Sequence, residues 1–406
     1  MINAHNYGFS THNDPEANAA ALNAAVKNGG EITVVQPGIY EISETVFLPD
    51  HTHLHFAEGV VLKRTESKSG KNGNQFINRG ALTGIKNTDI RLTGLHLLTN
   101  GVQSTAAETG CEKTVTGLRG HLAFFYIEDL YLSDITITDL SRKDYAIQIC
   151  NFKNAVLERC HLEGLKDGIH FGPGSDFVVR DCRFRTMDDA IAINCSDYSV
   201  SNPNMGDIEN GLIENCIDLK GAPTESFFLR ILVGGWTQWK SGMTVYHSDA
   251  VVHNGKLYRV VMSPDNEAYI STTPPTHEKG FAEIDGIRWV RTHYGYEPDK
   301  LPLTASCRNI TLRNIALQQP RRNQMLIYAS YDEYLRSYHA GFPMPEVKNI
   351  IFENVQVHCA TKHLAYVKTK TDSITLKNCH LNGCDIFQEQ NEQMEAYPPA
   401  EIIIEN

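Results

Sequence analysis

Three carboxylates recur at a spacing that could do chemistry. Asp167 lies in Lys166-Asp-Gly-Ile-His-Phe171, and Asp188 and Asp189 lie in Met187-Asp-Asp-Ala-Ile-Ala-Ile193. Asp167 and Asp189 are 22 residues apart, and each opens a segment of one form: Asp, a small residue, Ile, any residue, then an apolar one. Clustered carboxylates have two principal uses. In glycoside hydrolysis one acid protonates the leaving oxygen while another carboxylate activates water or attacks. Like-charge crowding raises one pKa and supplies the proton donor. Alternatively, three carboxylates make a hard-oxygen calcium site, which would suit a polysaccharide lyase with Arg230 as its base. Either use requires residues 22 apart in sequence to be neighbours in space.

A repeat supplies that neighbourhood. Asn154-Ala-Val-Leu-Glu-Arg-Cys160, Asp176-Phe-Val-Val-Arg-Asp-Cys182, Asn210-Gly-Leu-Ile-Glu-Asn-Cys216 and Asp372-Ser-Ile-Thr-Leu-Lys-Asn-Cys379 are variants of one strand and turn. Asn309-Ile-Thr-Leu-Arg-Asn-Ile315 and Asn349-Ile-Ile-Phe-Glu-Asn-Val355 repeat it. A second series runs through Tyr145, Asp167 and Asp189 at steps of 22, and Cys160 to Cys182 is the same step. The hydrophobic period is two and the segments are too short for helices. These features predict an all-β chain, a right-handed parallel β-helix of about three short strands per coil. The recurring turn asparagines fit a ladder of side-chain amides bonded along the axis. A β-sandwich does not naturally return matching segments at one fixed interval.

Strand parity sets expectations for the acids. Isoleucines at alternate positions face the core, and Gln148, His170, Ala192 and Arg230 between them face out together. Strict alternation puts Asp167 and Asp189 inward and Asp188 outward. Three acids in an apolar core would be prohibitive, so the turn before each strand is expected to expose Asp167 and Asp189 at the strand edge. Coils spaced about 4.7–4.9 Å apart then bring them together. Arg230 is expected to bind a polar or acidic sugar, or else to pair with Asp188 or Asp189. His170 either contacts substrate or caps the strand face. Arg322, with Tyr328, Tyr331 and Arg336 before Pro343, are candidates for the far rim.

Around these coils the chain divides into four parts. Residues 1–30 form an N-terminal cap: Asp14 is a good N-cap, Pro15 suits the first helical position, and Gly29-Gly30 ends an alanine-rich helix. Residues 31–235 form the first β-helical part. The rhythm breaks over 236–298 and resumes over 299–406. Asn254-Gly255 in the break is a hairpin signal, and the break reads as a small inserted antiparallel barrel. Trp236, Trp239 and Trp289, all the tryptophans of the chain, lie in it or at its entrance. They serve either as a sugar-stacking platform or as the core of a tiny domain that needs large aromatics.

Composition narrows the partners. A net charge of −11 excludes the basic stripe of a nucleic-acid binder and a polybasic membrane surface. It leaves room for a local basic pocket. There is no apolar run long enough for a transmembrane helix. Met1-Ile-Asn-Ala-His-Asn lacks a basic segment followed by an apolar one, so the expectation is a cytoplasmic protein or a secreted one with its leader removed. The ten cysteines include no Cys-x-x-Cys pair, and several end apolar strands, so free buried thiols are expected. The expected partner is a carbohydrate, with no cofactor and no metal for hydrolysis, and the oligomeric state is open.

The Asp-Gly-Ile-x-Phe segment followed by Asp-Asp-Ala-Ile-Ala-Ile, together with Gly38-Ile-Tyr40, resembles glycoside hydrolase family 28, the polygalacturonases and rhamnogalacturonan hydrolases. That resemblance spans most of the chain and implies a pectin-lyase-like β-helix and an inverting hydrolase. Carried over, Asp188 would be the general acid, and Asp167 and Asp189 would hold and deprotonate the attacking water. The chain departs from the family in three places. Leu165-Lys166 stands where the family has Asn-Thr, Phe227 stands where it has a histidine, although Val233-Gly-Gly235 keeps the glycine-rich turn after it, and the family's Arg-Ile-Lys is absent. The chain also resembles the β-helical α-1,3-galactosidases, which carry small inserted barrels. A non-catalytic β-helix, a carbohydrate-binding or tailspike-like module, is the reading from a different class.

Overall fold

The computed structural model describes the chain except residues 105–112, 199, 223–225, 263–266, 293–302, 330–344, 390–400 and 406. Its strands stack coil upon coil in parallel register, and the chain is a right-handed parallel β-helix. One column of the stack explains why. Ile147 pairs with Ile169, Ile169 with Ile191, Ile191 with Leu229, and Leu229 with Met325. Two residues on, Ile149, Phe171, Ile193, Ile231 and Ile327 form a second apolar column. Both columns are buried in one continuous core, so like residues pack on like residues along the axis and the 22-residue period becomes a spatial repeat.

The residues between those columns, Gln148, His170, Ala192, Arg230, Leu326 and Tyr366, form a register column of their own on the outer face. Its two halves differ. Gln148, His170 and Ala192 are fully buried, although they point away from the core. The Gln148 amide is held by the backbone at Gly117, Arg119, Gly120 and Ser201, so loops on either side roof this half. From Arg230 onward the column opens into a cleft.

The coil corners carry the ladders that the asparagines suggested. Asp176, Asn210, Asn309 and Asn349 form one chain of side-chain hydrogen bonds, each 3.0 Å. Asp181, Asn215, Asn314 and Asn354 form another. All eight sit at positive φ, between 54° and 61°. Asn and Asp tolerate that left-handed conformation better than other residues with a Cβ, so the same residues bend the chain and tie successive bends together.

The helix Pro15–Val26 closes the N-terminal end, with the Asp14 carboxylate accepting from Ala17 N at 2.8 Å. Its Ala19, Leu22, Ala25 and Val26 join the main core, shielding strand edges at the end of the stack. The interruption after Gly235 holds a five-stranded sheet and a two-stranded ribbon. The sheet is mixed, since Thr237–Gln238 pairs in parallel with Ala250–His253. Its separate core contains Val245, Val251, Tyr258, Val260, Ile287 and Trp289. The nine cysteines among the described residues are all free thiols. Among the described residues no helix is long and apolar enough to cross a membrane.

Candidate functional site

Asp167, Asp188 and Asp189 converge as the 22-residue step requires: one oxygen from each lies within 4.8 Å of the others. Adjacent coils are bonded directly beneath them, Gly168 N donating to Asp189 O at 3.0 Å. The small residue after each Asp is part of this closeness. A Cβ at Gly168 would stand 2.7 Å from the Ala190 carbonyl oxygen.

Their exposure corrects the expectation. Asp167 and Asp189 are fully buried, and only Asp188 reaches the cleft. The acids tolerate burial because two cations lie among them. The Lys166 ammonium contacts Asp188 and is 3.7 Å from Asp167 Oδ1. Arg230 Nε is 2.9 Å from Asp189 Oδ2, and its Nη2 is 3.9 Å from Asp167 Oδ2. The Ser226 hydroxyl and Phe227 N also donate to Asp189 Oδ1, the latter at 3.2 Å. Arg230 therefore makes the ion pair that was its alternative reading, while still lining the cleft.

Three carboxylates against two cations leave one negative charge to neutralise. Burial first, and the neighbouring Asp188 next, push Asp167 up to about 7. Burial and the two other acids push Asp189 the same way, against Arg230. Asp188 is also raised by burial, but Lys166 and Arg230 outweigh that and hold it well below the usual carboxylate range. Asp167 and Asp188 bring oxygens within 4.8 Å of each other, and their repulsion adds to burial in favouring the neutral form of Asp167. Asp167 Oδ1 is buried and has no hydrogen-bond partner.

Behind Asp167 stands His170, fully buried and absent from the cleft wall, so it does not contact a ligand in the cleft. Its Nδ1 is 2.9 Å from Asp167 Oδ2. Its ring stacks on Tyr145 at 4.1 Å. Burial drives it down to about 3, with Asp197 opposing and Arg230 and Lys166 adding, so the imidazole is neutral. Below the acids, the buried Arg321 pairs with Asp218 at 2.8 Å and donates to the carbonyls of Thr186 and Asp188, fixing the turn that presents Asp188.

The cleft has a volume of about 760 Å³. Arg119, Arg142, Lys166, Arg230 and Lys368 bring five cations to it, against Asp188 and Asp197. Tyr145, Tyr198, Phe227, Tyr328 and Tyr366 supply aromatic surface, and His247 reaches in from the inserted segment. A negatively charged protein thus has a positively charged cleft, lined by rings suited to sugar faces.

Other sequence candidates lie elsewhere. Trp236 is fully buried in the main core, and Trp289 in the core of the insert. Trp239 is half-buried in the insert with Nε1 donating to Ser271 Oγ at 2.8 Å. None of the three lines the cleft. Trp289, with Trp239 packed beside it, fills the small second core, and Trp236 fills the main one, so burial rather than a platform role places them. Arg322 is exposed and away from the cleft wall, because alternation gives the inward place to Arg321. Tyr331 and Arg336 lie outside the described residues. Sequence reasoning passed over Lys166, although its replacement of the family threonine was visible. It also missed Asp197 and Lys368, which no motif marks.

The acid cluster does not fit a calcium ion. Calcium takes roughly six to eight oxygen ligands, and here the same carboxylate oxygens hold Lys166 and Arg230.

No protein-family model matches the chain, and no curated protein matches it. Solved structures do match. A 1,3-α-1,4-β-D-galactose-4-sulfate-3,6-anhydro-D-galactose-2-sulfate 4 galactohydrolase is similar at 10% identity over 97% of this chain and 91% of its own, with a TM-score of 0.53. The Streptococcus pneumoniae surface protein and adhesin PfbA is similar at 14% identity over 100% of both chains, with a TM-score of 0.50. The Yersinia enterocolitica family 28 exopolygalacturonase is similar at 12% identity over 100% of this chain and 77% of its own, with a TM-score of 0.47. At these identities the shared property is the β-helical fold.

Proposed function

We propose that the chain is a glycoside hydrolase that cleaves an acidic poly- or oligosaccharide with inversion. The observation that carries this reading is the cleft-facing Asp188 with the buried Asp167 close behind it, its carboxyl pushed up to about 7. Asp188 delivers the proton to the leaving oxygen, and Asp167 is the reservoir behind it. Asp189 anchors Arg230 over the acids. The cationic wall favours substrates bearing carboxylates or sulfates, and the tyrosines offer faces to sugar rings. Inversion follows from the family 28 resemblance. Because Asp167 and Asp189 sit behind Lys166 and Arg230, activation of the water falls to a carboxylate that reaches the cleft. The likeness to the galactohydrolase fits a carbohydrate ligand.

The test is a panel of polygalacturonate, alginate, sulfated galactans and neutral galactan. Expected is release of reducing ends from an acidic member, with no ultraviolet-absorbing unsaturated product and no loss in EDTA. Asp188→Asn should lower turnover by about 10²–10⁴-fold with the fold intact. An unsaturated product lost in EDTA would establish the lyase instead. Binding without products would establish a non-catalytic module. Full turnover by Asp188→Asn would remove that residue from the acid's role.

A further inference from the structure

A fourth carboxylate completes a line through the site. Asp197 lines the cleft and is almost wholly buried. Its Oδ2 is 3.7 Å from His170 Nε2, and the opposite ring nitrogen is 2.9 Å from Asp167. Asn194 Nδ2 donates to Asp197 Oδ2 at 2.5 Å and lies 3.4 Å from His170 Nε2. An amide that can only donate there makes Nε2 an unprotonated acceptor and puts the ring proton on Nδ1, facing Asp167. The loop bearing Asp197 is held from the insert: the buried Arg259 donates to the carbonyls of Asp197 and Asn202.

We propose that Asp197, His170, Asp167 and Asp188 form a proton-transfer chain, with Asp197 as the carboxylate that takes the proton of the attacking water. This rests on the hydrolase reading above. Water adds to the anomeric carbon as the glycosidic bond breaks. Its proton goes to Asp197 and then to His170 Nε2. Nδ1 releases its proton to Asp167 Oδ2, Asp167 Oδ1 passes its own to Asp188, and Asp188 gives one to the leaving oxygen. One proton enters and one leaves, so Asp197 and Asp188 end as carboxylates and Asp167 remains neutral. The ring returns to its starting tautomer when Nε2 loses a proton through Asp197 to solvent, Asp167 returns one to Nδ1, and the Asp167–Asp188 pair regains one from solvent.

The groups facing the ring suit a neutral relay. Asp167 and Asp197 flank its nitrogens, Tyr145 covers its face, and Arg230, Lys166 and Arg119 surround it with positive charge. A merely structural histidine would need no acid on the cleft side beside the Asn194 amide.

The test is solution NMR of the full chain labelled at its histidines, with His170→Gln assigning the signal. Expected is a neutral ring protonated at Nδ1 between about pH 5 and 8, whose Nδ1 proton exchanges with solvent at least tenfold more slowly in Asp197→Asn. Exchange unaffected by Asp197→Asn, or a ring protonated at Nε2, would overturn the chain. With an acidic substrate from the panel, His170→Gln and Asp197→Asn should each lower kcat at least 100-fold with KM unchanged and alter the pH profile. Full kcat in either variant would also overturn it. If the wild type turns over nothing on the panel, the hydrolase reading fails, while the exchange measurement still decides the relay.

Discussion

Replacing Asp167 by asparagine asks directly whether the buried acid keeps its proton. The amide has the carboxyl's shape. Its oxygen can accept from His170 Nδ1 and its N–H can face Asp188, so the contacts survive while titration is removed. In the native protein burial raises this carboxyl from 3.8 to about 7. A group whose folded pKa is raised binds a proton in the folded state that the unfolded chain has released. Stability therefore falls as pH rises through the window between those values and is level above about 7. Roughly three pH units at about 1.4 kcal/mol each amount to ~4 kcal/mol. Groups not coupled to Asp167 cancel in the difference between wild type and Asp167→Asn. That difference should move in the variant's favour by ~4 kcal/mol between about pH 4 and pH 8. Urea denaturation across that range measures it, and turnover should be lost throughout. A stability difference constant to within about 1 kcal/mol would show that Asp167 is ionised when folded, and the reservoir argument would fail.

Two further perturbations probe the surroundings. Arg230→Met removes the cation beside Asp189 and should cost about 3–5 kcal/mol near pH 8. The loss should shrink near pH 5, where the stranded carboxyls take up protons; equal losses in thermal melts at both pH values would contradict the charge balance drawn here. Asn309→Ala breaks the hydrogen bonds with Asn210 and Asn349 and leaves an alanine at φ 58°. It should cost ~2 kcal/mol, and Asn309→Gly about half of that, because glycine keeps the backbone unstrained. Denaturant midpoints that rank the two variants in the opposite order would assign the ladder's value to something other than the left-handed corner.

The β-helix was legible because its information is local and repeated. Alternation at period two, a return every 22 residues, and Asn or Asp at each corner are one-dimensional signals. They determine strand faces and register without knowledge of distant contacts. Convergence of Asp167, Asp188 and Asp189 followed from the same arithmetic, and so did the shared face of His170 and Arg230. What tertiary structure alone decided is which of those residues meet solvent. Strand parity says which way a side chain points, not whether a loop lies over it. The loops roofing Gln148 and His170 turned an outward column into a second buried layer, and Lys166 with Arg230 made it habitable for acids. Asp197 came to His170 on a non-repeating loop held by Arg259 from the insert, a contact 62 residues away in sequence with no periodicity to announce it. The tryptophans, conspicuous in the sequence, went to cores, Trp236 to that of the β-helix and Trp289 to that of the insert, because large rings gain most from burial. The charges that give the cleft its sign sit on separate coils and loops, and only folding brings them together.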